Sequence, residues 1–113
     1  MSAGGWSVIC PEERLQPERG LAALVGGGQV ALFRTYDGRL FALDNLDPCS
    51  GAQVLSRGIV GTRGDAPTVA SPMHKQVFDL RTGECLDRPG TCVRTYPVRS
   101  RAGMIEVEWA AAA

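Results

Sequence analysis

Glycine and proline recur 14 and 7 times in 113 residues, so a long helix has no room and short elements joined by tight turns remain. The intervening segments are rich in Val, Leu, Ile and Phe, the signature of an all-β chain. A first strand is expected over Trp6–Cys10, then a polar connection, Pro11–Gly20, with room for one helical turn. Leu21–Val25 and Gln29–Tyr36 flank Gly26-Gly27-Gly28, a hairpin signal, because glycine accepts the positive φ of tight turns. Asp37-Gly38 marks a second hairpin leading into Arg39–Asn45. Further along, Gln53–Arg57 reads as a single turn, and Ile59-Val60 and Thr68–Ala70 read as strands around an exposed loop, Gly61–Pro67. Gln76–Leu80 is another strand, with Asp79 capping a turn over Arg81–Glu84. The chain closes on a hairpin of Arg94–Ser100 and Met104–Trp109 across Arg101–Gly103. There Ile105, Val107 and Trp109 alternate with Glu106 and Glu108.

The length fits one domain over residues 1–113 with its core about 6–109, and 44% hydrophobic residues suffice to fill that core. Net charge is zero and no basic run is present, which argues against nucleic acid and anionic membrane as partners. No segment approaches the roughly 18 apolar residues of a membrane-spanning helix. The N-terminal residues show no basic stretch followed by an apolar one, so a cytoplasmic protein is expected. Cys10, Cys49, Cys85 and Cys92 form no C-x-x-C pair; free thiols, several of them buried, are the expectation. Cys85 and Cys92 are placed to approach across a turn, and Trp6 and Trp109 to pack together if the terminal strands pair. Arg57, Lys75, Arg81 and Arg88 read as solvated or rim charges. Ala110–Ala113 is expected to fray.

Two short loops carry the most specific signal: Asp47-Pro-Cys-Ser-Gly-Ala52, and Ser71-Pro-Met-His-Lys-Gln-Val-Phe-Asp-Leu-Arg-Thr-Gly83. Their layout resembles the Rieske family, whose loops read C-P-H-x-G-A and C-P-x-H-G. Two cysteines there hold one iron of a [2Fe–2S] cluster, and two histidines hold the other. The resemblance implies a small antiparallel β-sandwich or barrel with a two-loop tip. It places Asp47 and Ser71 at the thiolate positions and Cys49 and His74 at the imidazole positions. A carboxylate and a neutral hydroxyl do not replace two soft thiolates, so no metal is expected at these degenerate positions. His74 is expected to be a partly buried loop histidine hydrogen-bonded to backbone.

Within Rieske-like folds the chain is similar to the small subunit of assimilatory NAD(P)H-dependent nitrite reductase. The segments that carry this are Ala42-Leu-Asp-Asn-Leu-Asp-Pro48, Ser50-Gly-Ala, Val54-Leu-Ser-Arg-Gly-Ile-Val-Gly61, Ala70-Ser-Pro72, Phe78-Asp-Leu-Arg-Thr-Gly83 and Thr95-Tyr-Pro-Val-Arg99. The resemblance implies a non-catalytic part in reducing nitrite to ammonium, docked on or stabilising a large subunit that carries FAD, siroheme and an iron–sulfur cluster. No cofactor and no catalytic residue are expected in this chain. It has no G-x-G-x-x-G fingerprint, and its Gly26–Gly28 run is followed by strand-like sequence instead of a helix. Partner contact is assigned to Pro48, Cys49, Ser50, Met73, His74 and Lys75. Two other readings stand beside it: a Rieske-type ferredoxin carrying electrons, and a mononuclear metal site built from Asp47, Cys49 and His74. A Cys49–His74 nucleophilic pair is weaker, since nothing in the sequence supplies an orienting third group.

Overall fold

A computed structural model describes residues 5–109. Among the described residues ten strands follow one another: β1 (Trp6–Pro11), β2 (Gly20–Val25), β3 (Gly28–Arg34), β4 (Leu40–Asp44), β5 (Ile59–Arg63), β6 (Ala66–Ala70), β7 (Val77–Asp79), β8 (Thr95–Tyr96), β9 (Val98–Arg101) and β10 (Met104–Glu108). They form three antiparallel sheets with strand orders β1-β10-β9, β2-β3-β4-β8 and β5-β6-β7. Short 3₁₀ turns occupy Glu12–Arg14 and Leu55–Arg57.

The four-stranded sheet is the middle layer. Strand side chains alternate between faces, and β3 sends Ala31 and Phe33 into one apolar cluster and Val30 and Leu32 into another. The first cluster adds Leu43, Leu55, Val69, Phe78, Leu80, Cys85 and Val93, which join the middle sheet to β5-β6-β7. The second adds Leu15, Val25, Ala42, Tyr96, Ile105 and Val107, which join it to β1-β10-β9. A strand buried on both faces reads as a continuous apolar run, and Val30–Phe33 is one, all at 0% exposure.

The expected hairpins form where the glycines stand. Gly26 and Gly27 both have positive φ between the paired Val25 and Gly28, a two-residue turn of the primed kind. Ala102 and Gly103 do the same between β9 and β10. Several boundaries differ from the sequence reading. The expected loop Gly61–Pro67 is mostly strand: β5 and β6 run to Arg63 and back from Ala66, leaving only Gly64 and Asp65 as the turn. Pro67 is accommodated in β6 opposite Thr62, with its carbonyl accepting from the Leu80 amide at 2.9 Å. Arg94–Ser100 is not one strand. Pro97 lacks an N–H and breaks it, so Thr95–Tyr96 pairs with β4 while Val98–Arg101 pairs with β10 in another sheet.

The terminal strands β1 and β10 pair, but the two tryptophans find different partners. Trp109 stacks on Tyr96 with ring centroids 4.9 Å apart, and the Arg99 guanidinium lies 3.8 Å from the Trp6 ring centroid. Trp109 also lies across the glycine hairpin: a Cβ on Gly26 or Gly28 would sit 2.3 or 2.7 Å from its ring. All four cysteines are free; Cys85 is buried, Cys92 is exposed, and Cys10 and Cys49 are intermediate. The expected fraying of Ala110–Ala113 lies outside the described residues.

Candidate functional site: a two-loop tip tied by Asp47 and Ser71

Loop Asp47–Ala52 leaves the middle sheet after β4, and loop Ser71–Gln76 leaves the outer sheet after β6. Each closes on itself in the same way. The amide of the first residue donates to the carbonyl five residues on: Asp47 to Ala52 at 2.8 Å, Ser71 to Gln76 at 2.9 Å. The carbonyl of that first residue accepts from the amide four residues on: Gly51 to Asp47 at 2.8 Å, Lys75 to Ser71 at 2.9 Å. The first side chain caps the amide two residues on: Cys49 N–H to Asp47 Oδ1 at 2.8 Å, Met73 N–H to Ser71 Oγ at 3.2 Å.

The two capping side chains also meet. Ser71 Oγ donates to Asp47 Oδ2 at 2.5 Å, although 24 residues separate them. Asp47 is 0% and Ser71 1% exposed, so this charge-assisted bond is shielded from water. It joins the middle sheet to the outer one at their open end. Burial pushes the Asp47 carboxyl up, and hydrogen bonds from the Ser71 hydroxyl, the Cys49 amide and Ser50 together more than offset it, leaving the pKa lowered.

Asn45, 1% exposed, supports the base of the first loop. Its side-chain amide donates to Gln29 Oε1 at 3.0 Å and to the Gln53 carbonyl at 3.1 Å, and its Oδ1 accepts from the Ser56 amide at 2.7 Å. The sequence signal for Asn45 is its place two residues before Asp47-Pro48. Of the residues assigned to partner contact, Pro48, Met73, His74 and Lys75 are exposed, and Cys49 and Ser50 are intermediate. The expected part-buried, hydrogen-bonded His74 is corrected: the ring stands on an exposed turn, held there by the local closure of the loop. Two further apolar residues border the tip and were missed: Leu46, 39% exposed, and Ile59, 77% exposed and paired with Ala70. Arg81, expected to be solvated, donates from Nη2 to Asp79 Oδ2 at 3.0 Å and from Nε to Oδ1 at 3.2 Å.

Residues 5–108 match the Rieske-like [2Fe-2S] domain family. The nitrite reductase (NADH) small subunit of Salmonella typhimurium is 39% identical over 103 residues, covering 90% of this chain and 95% of that one. The chain belongs to the nitrite reductase small-subunit family. A crystal structure presented as a candidate NADH-dependent nitrite reductase small subunit from Mycobacterium tuberculosis superposes with a TM-score of 0.87 at 49% identity, covering 90% and 92% of the two chains. The nitrite reductase [NAD(P)H] large subunit of Klebsiella oxytoca is 42% identical over 102 residues, and there the chain spans only 11% of the relative's length.

The domain family's description names a [2Fe–2S] group, and the donors of this small-subunit-family member do not fit one. Both Asp47 oxygens and the Ser71 hydroxyl are engaged inside the protein, with each other and with the Cys49 and Met73 amides. Neither is a thiolate, and a cluster of this type needs two thiolates on one iron. Nor do Asp47, Cys49 and His74 form the mononuclear set, since Asp47 is buried in its bond to Ser71 while His74 is exposed. Among the described residues, no helix is long and apolar enough to cross a membrane.

Proposed function

We propose that this chain is the small, non-catalytic subunit of an NAD(P)H-dependent nitrite reductase, seated against the large subunit in the cytoplasm. In that reading the large subunit contributes FAD, siroheme and an iron–sulfur cluster to the reduction of nitrite to ammonium. This chain contributes a shaped surface. The observation that carries the proposal is the pair of relatives: the same 100-residue unit accounts for 95% of a Salmonella small subunit and 11% of a Klebsiella large subunit. A unit that stands alone in one organism and is built into the larger chain in another is best explained by a shared neighbour. The tip residues Pro48, Cys49, Ser50, Met73, His74 and Lys75 are the contact surface, and their clasped loops need little ordering on binding.

Co-expression with the large subunit tests this. Wild type is expected to co-purify, and the double variant Met73→Asp/Lys75→Glu to co-purify weakly while keeping its β-sheet circular dichroism. Normal recovery of the double variant, with exchange protection confined to the opposite end of the domain, would place the contact elsewhere.

A further inference from the structure

The hydrogen-bond scheme of the tip loops recurs a third time. Asp79 donates its amide to the Glu84 carbonyl at 2.9 Å, accepts from Gly83 at 2.7 Å, and caps the Arg81 amide with Oδ1 at 2.8 Å. In all three turns the fifth residue lies in the left-handed region: Gly51 at φ 76°, Gly83 at φ 79° and Lys75 at φ 60°. Two turns place glycine there, the residue that occupies this region without cost. The third places lysine, which costs about 1–2 kcal/mol in that conformation. The Lys75 amide closes the turn on the Ser71 carbonyl just as Gly51 and Gly83 close theirs, so that bond does not favour lysine over glycine. Lys75 is exposed, and among the described residues no carboxylate pairs with its ammonium.

The Asp87 carboxylate, which accepts from the Val77 amide at 2.9 Å, is paired with Arg63 and leaves Lys75 without a partner among the described residues. Over residues 46–52 and 71–77 the only carboxylate is Asp47, and it is buried against Ser71. The exposed tip is therefore cationic on a chain whose net charge is zero. Beside it stand exposed Pro48 and Met73, the latter 51% exposed. A strained residue on a binding surface points to a side chain kept for what it contacts. We propose that Lys75 is retained at the left-handed position to present its ammonium to an acidic patch of the large subunit, flanked by apolar contact at Met73 and Pro48. This rests on the subunit reading above and names the chemistry of the partner surface.

The position offers a variant in which stability and docking move apart. Lys75→Gly removes the charge and the left-handed strain together, so its Tm is expected to be no lower than that of wild type. Binding to purified large subunit, measured by surface plasmon resonance, is expected to weaken about three- to fivefold at low salt, the upper part of the range of an exposed ion pair. The loss should fall mainly on the association rate, and salt should weaken wild type more than the variant. Lys75→Arg, which keeps the charge, should bind within about twofold of wild type. The inference is overturned if Lys75→Gly binds like wild type with the same salt response, or if Lys75→Arg loses as much as Lys75→Gly. If wild type itself does not bind the large subunit, the subunit reading fails, and this inference with it.

Discussion

The tip loops and the Asp79–Glu84 turn share one backbone plan and differ in what their capping side chains meet. Asp79, itself buried, meets Arg81, whose side chain is about half exposed. Asp47 and Ser71 meet each other in the interior. The plan shapes a turn; the second partner decides whether that turn stays a local object or becomes a tie between two sheets. An ion pair open to water contributes little because solvent competes for both charges. A buried hydroxyl–carboxylate bond is worth more, and losing one partner leaves a charge without solvent or ligand.

The largest effect expected from breaking this comparison is at the left-handed positions. A Cβ on Gly83 would stand 2.0 Å from the Val93 carbonyl, whereas one on Gly51 meets nothing within 4 Å. Gly83→Ala should lose about 3 kcal/mol or fail to fold, and Gly51→Ala only about 1 kcal/mol from backbone strain. Urea midpoints of the two variants read the difference; equal losses would mean the Gly83 site relaxes freely.

Next is the tie itself. Ser71→Ala leaves the Asp47 carboxylate buried without its hydroxyl donor and should cost about 1–3 kcal/mol. The pH dependence follows from the lowered folded-state pKa of Asp47. Its contribution is fully present above the unfolded carboxyl value, about 3.9, and is lost as pH falls through the lower folded value. Tm measured against pH should therefore show Ser71→Ala losing its deficit relative to wild type only in that acidic range. A deficit unchanged through acid would place the stabilisation elsewhere. The smallest effect is expected at Arg81→Ala, about 0.2–1 kcal/mol by the same urea measurement, since its guanidinium is already half in water.

Features that leave a mark on a single residue were legible beforehand. Gly26-Gly27 and Asp37-Gly38 announced their turns because positive φ selects glycine. The loop pair 47–52 and 71–76 was legible as a motif, and the poor fit of its donors followed from the residue types alone. Unread were relations between residues. The Asp47–Ser71 bond joins positions 24 apart, and no local pattern reports it. Pro97 sits inside what reads as one strand, because the sheet switch depends on β4 and β10 both being in reach. Gly61–Pro67 looked like a loop because its Gly, Asp and Pro content outweighed the cross-strand pairing that fixes it. Lys75 gave no warning of its backbone, since lysine carries no left-handed signature.

Strand β3 has a consequence for how the molecule opens. It supplies Ala31 and Phe33 to one apolar cluster and Val30 and Leu32 to the other, so neither cluster can melt while its neighbour persists. Amides of Val30–Phe33 should then exchange with deuterium only through whole-molecule unfolding, and at the same rate whether they face β2 or β4. The tip loops, closed by their own short rings of hydrogen bonds, can breathe on a faster clock without disturbing that strand. A partner that grips the tip would slow the fast clock and leave the slow one untouched.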